Sequence, residues 1–100
     1  MPAYSIHITH RAAAQITRAA AWWSRNRPAA PDAVVVELER AFALLAVQPH
    51  LGALARNARL SGVRRIHLAK IHHHLYYRVR VDAVDVLALW HTSRGGKPPV

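Results

Sequence analysis

The chain contains no cysteine, and it has only five acidic residues against 14 lysines and arginines. The lack of cysteine excludes disulfide bonds and thiolate chemistry. No apolar run approaches the roughly 20 residues that a membrane-spanning helix needs. Residues 1–11 also lack the long apolar core of a signal peptide. We therefore expect a single small cytoplasmic domain that does not span a membrane.

The shortage of acidic residues leaves a formal net charge of +9 over 100 residues. All but two of the basic residues are arginines, the exceptions being Lys70 and Lys97. Arginine suits planar, bidentate contacts with phosphate or carboxylate. This balance favours a polyanionic partner, either nucleic acid, an acidic protein or an anionic membrane surface. An arginine bias of the genome explains the same composition equally simply, since alanine and valine are also abundant.

Three short alternating segments lie within residues 63–94, and alternation is typical of half-buried strands. In the middle segment, Leu75 and Tyr77 belong to an apolar set, whereas His74, Tyr76 and Arg78 belong to a basic and aromatic set. Because successive side chains of a strand point to opposite faces, the second set predicts a basic sheet face.

The turns between these segments suggest how the strands pair. A two-residue turn at Ala69-Lys70 would place His67 opposite His72 and Arg65 opposite His74. The second turn, within residues 80–85, has two possible lengths, and both keep His91 on the basic face. The predicted basic face therefore collects Arg65, His67, His72, His74, Tyr76, Arg78 and His91.

The first half of the chain predicts a strand followed by two helices. Residues 4–8 alternate, and a helix then runs from Thr9 or His10 to about residue 26. Its core stripe ends in Trp23, which leaves Trp22 half exposed as a possible partner contact. Another stripe of this helix carries an arginine at every seventh position: Arg11, Arg18 and Arg25. This stripe is either a solvated face or a phosphate-binding one.

The second helix opens at Pro31-Asp32 and ends at Pro49, with an apolar stripe of Val35, Leu38, Phe42 and Leu45. Residues 53–62 are predicted as a connecting loop. The order of elements predicts an α+β fold: an N-terminal strand, a two-helix hairpin and a three-stranded antiparallel meander, with the helices packed on one sheet face. We assign residues 1–94 to this domain and expect residues 95–100 to be a flexible C-terminal tail.

Several motifs then resemble the RelE/ParE superfamily of bacterial toxins. They are the helix exit at residues 44–52 (LLAVQPHLG), the VRRI of residues 63–66, the YYRV of residues 76–79 and the VLALWHTSR of residues 86–94. The spacing from residues 77–79 to His91 and Arg94 is similar to the ParE branch in particular. The resemblance covers almost the whole chain.

This resemblance implies a toxin of a type II toxin–antitoxin system, held inactive by an antitoxin. ParE-like members poison DNA gyrase, whereas RelE-like members cut mRNA on the ribosome. For the nuclease branch only, the resemblance implies a catalytic set of Arg65, Arg78 and His91. The chain departs from that branch because no tyrosine follows His91, and its triple histidine at residues 72–74 is not part of the family pattern.

Chemistry at the predicted basic face leaves three alternatives. Histidines can act as base and acid while arginines hold phosphate, so an mRNA endonuclease acting on the ribosome is possible. A gyrase inhibitor needs only a binding surface. The third alternative, a degenerate toxin that only binds its antitoxin, also needs no catalytic group. We expect no metal site and no cofactor, since arginines would repel a cation beside the histidines.

The first partner that we expect is a cognate acidic antitoxin, joined to the toxin in a hetero-oligomer. The expected target is DNA gyrase, and the alternative target is the ribosome with its mRNA. We expect no membrane partner. An acidic, partly disordered segment could fold on the cationic surface. Candidate contacts for the antitoxin or the target are Trp22, Arg18, Arg25, His74, Tyr76 and Arg94.

Overall fold

The computed structural model describes residues 3–56 and 58–100 and confirms the α+β fold. The chain begins with a strand, continues with two helices that contact each other, and ends in a sheet. Neither helix of the described chain is long and apolar enough to cross a membrane. The elements are β1 (Ser5–Ile8), α1 (His10–Asn26), α2 (Ala33–Val47), β2 (Ala53–Leu54), β3 (Val63–Leu68), a 3₁₀ turn (Ala69–Ile71), β4 (His73–Val79) and β5 (Ala83–His91).

The sheet has five strands in the order β1-β5-β4-β3-β2. The predicted antiparallel meander of β3, β4 and β5 is confirmed. The sheet as a whole is mixed, because β1 pairs parallel with β5. The prediction that residues 53–62 form only a loop is wrong, since β2 pairs with β3. A strand of two residues is too short to show alternation in the sequence.

The helices bury one stripe each against the sheet. Thr9 caps α1, its hydroxyl oxygen accepting a hydrogen bond from the Ala12 N–H at 3.2 Å. Trp23 is buried as predicted, and Trp22 is 46% exposed. In α2 the predicted stripe is wrong at Val35, which is 46% exposed, because Val34 takes the inward position. Three consecutive valines allow either choice at helical spacing, so only packing decides between them.

The last residues of the chain lie on the sheet face opposite the helices. Val100 joins a second apolar cluster with Val63, Tyr76, Ala88 and Trp90. The Arg59 N–H donates to the Val100 carbonyl at 2.6 Å, and the Arg11 Nη1 donates to the Pro99 carbonyl at 3.0 Å. We call this surface the tail face and the opposite one the helix face. The flexibility of residues 95–100 stays a prediction, but these contacts oppose it.

The first hairpin is two residues wider than predicted. His67 pairs with His74 and Arg65 with Tyr76, so the predicted pairings of His67 with His72 and of Arg65 with His74 are wrong. The turn includes the 3₁₀ residues 69–71 and His72, whose φ of 56° is left-handed. Burial of Ile71 in the main core accounts for this longer turn. A shift of two leaves the side chains within the strands on their predicted faces. The prediction that His72 lies on the basic face is wrong, because His72 belongs to the turn and its ring stacks on Trp23, with centroids 6.4 Å apart.

The second hairpin contains a β-bulge that moves His91 to the other face. Tyr76 pairs with Ala88 and Tyr77 with Val86, which leaves Leu87 as the extra residue. An extra residue reverses the parity of every later position on the strand. His91 therefore pairs with His73 on the helix face, and the prediction that it shares a face with His74 and Arg78 is wrong.

Candidate functional site

A groove runs between α1 and the adjoining ends of β4 and β5. It has a volume of about 500 Å³, and a deeper slot of about 310 Å³ opens beside it. We call this feature the α1 groove and its deeper part the slot. Its wall from α1 includes Gln15, Arg18, Ala19, Trp22 and Arg25, and its wall from the sheet and the following turn includes His73, Leu89, His91 and Arg94.

Flat rings form most of the slot. It is lined by Trp22, Trp23, His73, His91 and the methyl group of Ala19. The two tryptophans meet edge to face with ring centroids 6.0 Å apart. The two histidines do the same at 5.0 Å. Such a slot accepts a flat or apolar group better than a bulky branched one.

Hydrogen bonds set which ring nitrogens carry protons. The Nδ1 of His73 lies 2.6 Å from the Ile71 carbonyl oxygen, which can only accept, so this Nδ1 donates and the Nε2 is an acceptor in the neutral ring. The Nδ1 of His91 accepts from the Ser93 N–H at 3.1 Å, so its Nε2 carries the proton. In the neutral forms of these rings, the Nε2 of His73 is therefore an acceptor and the Nε2 of His91 is a donor.

The charge of His73 is also set by its surroundings. Partial burial lowers the pKa of His73 below its ordinary value of 6.5, and the nearby His91 and His72 lower it further, while the Ile71 carbonyl opposes the shift. His73 is consequently neutral at physiological pH. The slot therefore has an uncharged ring at its base.

Arginines line the edges of the α1 groove. Arg18 and Arg25 project from α1, and no described residue of 3–56 and 58–100 forms a hydrogen bond or ion pair with either guanidinium. Arg94 stacks over Trp90, its Cζ 3.8 Å from the ring centroid. No carboxylate is among the described residues that line the α1 groove. The groove is thus an uncompensated cationic surface, suited to anions.

Two hydrogen bonds fix the walls of the groove relative to each other. The Gln15 Oε1 accepts from the Leu89 N–H at 2.8 Å, which joins α1 to β5 just beyond the bulge. The Thr92 N–H donates to the His72 carbonyl at 2.9 Å and joins the ends of β4 and β5. The groove is therefore held by regular elements rather than by loops.

The tail face collects the other predicted site residues. Arg65 and Tyr76 line a cavity of about 280 Å³ together with Arg56, Lys97 and Val100. Tyr76 is buried there. His74 lies beside His67, with ring centroids 5.0 Å apart. Partial burial lowers the pKa of His74, and Arg65 and His67 lower it further.

The residues proposed for a nuclease are not brought together. Arg65 and Arg78 lie on the tail face, because they pair with Tyr76 and Val63 of that face. His91 lies on the helix face, across the thickness of the sheet. The bulge at Leu87 is the cause, and it was not visible in the sequence. These three residues cannot act on one phosphate without a different fold.

Four of the predicted contact residues do converge. Arg18, Trp22, Arg25 and Arg94 all line the α1 groove. Sequence reasoning missed His73 as a lining residue. It also missed Gln15, whose polar side chain within an alanine-rich helix was the available signal.

Comparison with known proteins agrees with this fold. The chain is similar to a solved structure described as the chromosomal ParDE TA system from P. aeruginosa, with a TM-score of 0.72 and 20% sequence identity, covering 90% of this chain and 97% of that chain. At this identity the likeness shows the fold alone. No curated protein sequence matches the chain.

A family match identifies the branch. The profile described as "ParE toxin of type II toxin-antitoxin system, parDE" matches residues 6–95, which is nearly the whole chain. The resemblance that the motifs suggested is confirmed. The chain belongs to the ParE toxin family of type II toxin–antitoxin systems.

Proposed function

We propose that this ParE-family toxin inhibits DNA gyrase in the cytoplasm and is neutralised by a cognate acidic antitoxin. The observation that carries the proposal is the family match over residues 6–95. Inhibition by binding needs a formed surface and no catalytic group. The α1 groove is such a surface, rigidly held and cationic.

Charge supports the acidic antitoxin. The chain has a formal net charge of +9, and Arg18 and Arg25 have no partner among the described residues. An acidic segment that folds on the toxin would neutralise this charge. The similar P. aeruginosa structure is itself described as a ParDE toxin–antitoxin system. We propose a toxin–antitoxin hetero-oligomer for this chain as well.

The contact residues are proposed on the same basis. Arg18, Trp22, Arg25 and Arg94 share one groove and form the best candidate for the antitoxin or target surface. His74 and Tyr76 lie on the tail face and remain proposed contacts of a second surface.

A supercoiling assay tests gyrase inhibition. Purified toxin added to gyrase and relaxed plasmid should prevent supercoiling, and the acidic protein encoded beside the toxin gene should restore it. The Arg18→Ala/Arg25→Ala variant should weaken inhibition or neutralisation. Arg40→Ala should not, since Arg40 is exposed on α2, outside the groove, and pairs with Glu37 at 3.3 Å. Normal supercoiling at high toxin concentration would rule out the proposal.

The alternative of a ribosome-dependent mRNA endonuclease has less support. Its implied catalytic residues lie on opposite faces of the sheet. Translating ribosomes treated with the toxin should therefore keep their mRNA intact. Cleavage in the ribosomal A site that is lost in His91→Ala would establish this alternative. Tight binding of the antitoxin with neither activity would indicate a remnant that only binds its partner.

A further inference from the structure

We infer that the α1 groove binds single-stranded nucleic acid, with one base in the aromatic slot and the flanking phosphates on Arg18 and Arg25. This site shares the α1 groove with the proposed antitoxin or target surface, but its test measures binding directly and does not depend on gyrase inhibition. Proteins that bind single strands combine a cationic groove with aromatic side chains on which bases stack. The α1 groove has both features.

The shape of the slot favours a base. It is lined by four flat rings and one methyl group, with no branched aliphatic side chain among the described residues. Its volume of about 310 Å³ lies at the small end of the roughly 300–1,000 Å³ of ligand sites. Trp22 is 46% exposed and offers part of its ring to a stacking partner. His73 and His91, which line the slot, offer one acceptor and one donor in their neutral forms, and the polar edge of a base has groups of both kinds.

The arginines favour phosphate and set the length of the ligand. The guanidinium fork binds phosphate oxygens in pairs. Arg18 and Arg25 are seven positions apart on one helix, so their Cα atoms are about 10 Å apart. That spacing lets the two guanidinium groups contact neighbouring phosphates of one strand, whereas a mononucleotide offers only one phosphate. A strand should therefore bind much more tightly than a mononucleotide.

An acidic peptide is the competing ligand for a cationic groove. Such a peptide carries negative charge but no flat base. Its affinity would depend on apolar contact with residue 22 and would not require an aromatic ring there. The substitution Trp22→Leu keeps an apolar side chain and removes the ring, whereas Trp22→Phe keeps a ring. These two variants separate stacking from simple apolar contact.

The test measures binding of a fluorescein-labelled octanucleotide of thymidine by anisotropy, with the full chain at several salt concentrations. Trp22→Leu should weaken binding about tenfold, and Trp22→Phe should restore most of it. Arg18→Ala and Arg25→Ala should each lower the slope of log affinity against log salt by about 0.7. Arg40→Ala and Arg78→Ala, outside the groove, should leave the slope unchanged. Circular dichroism should show that every variant is folded.

Four outcomes would overturn the inference. Equal effects of Arg18→Ala and Arg40→Ala would mean diffuse attraction to a basic protein. Equal affinity of Trp22→Leu and Trp22→Phe would exclude stacking. If thymidine monophosphate binds as tightly as the octanucleotide, the groove does not recognise a strand. A glutamate octapeptide that binds as tightly, with the same response to the Trp22 variants, would assign the groove to an acidic peptide.

Discussion

The Tyr77 hydroxyl oxygen accepts a hydrogen bond from the Gly52 N–H at 2.8 Å, and this bond ties the segment after α2 to the middle of the sheet. Tyr77 is fully buried. Tyr77→Phe would leave the Gly52 N–H without this partner, so the free energy of unfolding should fall by about 1–2 kcal/mol in urea titrations. Tyr76→Phe removes the same atom from the tail face and does not touch Gly52, so it should change stability less. Equal losses would show that the bond to Gly52 adds nothing.

Gly52 itself has no room for a side chain. A Cβ there would lie 2.7 Å from the Tyr77 hydroxyl oxygen and 2.9 Å from the Arg65 carbonyl oxygen. Because the carbonyl belongs to a strand and cannot move freely, Gly52→Ala should cost about 1–3 kcal/mol. Gly95→Ala is the matched control, since nothing lies within 4 Å of its Cβ position. Thermal unfolding of both variants compares them, and an unchanged melting temperature for Gly52→Ala would disprove the clash.

The N-terminus of α1 depends on Thr9. Its side-chain oxygen accepts from the Ala12 N–H at 3.2 Å. Thr9→Ala should therefore destabilise the protein by about 1 kcal/mol. Asp32, at the start of α2, makes no such side-chain bond, so Asp32→Ala should have a smaller effect. A greater loss for Asp32→Ala in chemical denaturation would contradict the assignment of the caps.

Burial of His73 predicts a dependence of stability on pH. Partial burial lowers the pKa of His73 from its ordinary value of 6.5, with His91 and His72 acting in the same direction. The unfolded chain therefore takes up this proton first as the pH falls. The stability that neutral His73 contributes is present above pH 6.5 and is lost as the pH falls through the lowered folded pKa.

His73→Asn tests this dependence. The Asn side-chain NH₂ can replace the Nδ1–H that donates to the Ile71 carbonyl, but it does not titrate. Unfolding free energies between pH 7 and about pH 5 should decline less steeply in the variant. Added salt should leave most of the wild-type slope, because desolvation is its first cause. An identical slope in both proteins would assign the pH dependence to other groups.

The contacts of Val100 predict that the end of the chain contributes to stability. Val100 lies buried in the second cluster, beside Tyr76 and Trp90. Val100→Ala should lower the unfolding free energy by about 1 kcal/mol. The same substitution at Val81, which is 96% exposed, should change it little. Equal values, or unprotected amides at Arg59 and Val100 in hydrogen exchange, would support the flexible tail that the composition suggested, since both N–H groups donate within this contact.

Local patterns determined much of the architecture. Helical spacing placed Trp23 inside and Trp22 half outside, and alternation placed Leu75 and Tyr77 in the core. These inferences hold because side-chain direction follows from the geometry of a helix or strand alone. The same patterns predicted the order of strand, helix pair and meander, and the family motifs led to the correct branch.

The sequence by itself therefore determined most of the elements, most of their inward faces and the cationic character of the surface, since each depends on residues close together in the chain. The tertiary structure alone decided which functional residues meet. One extra residue at Leu87 turned His91 away from Arg78 and towards His73 and Trp22. A bulge changes no composition and little periodicity, and it forms only when two strands pair, so its effect on the site appears only in the folded chain.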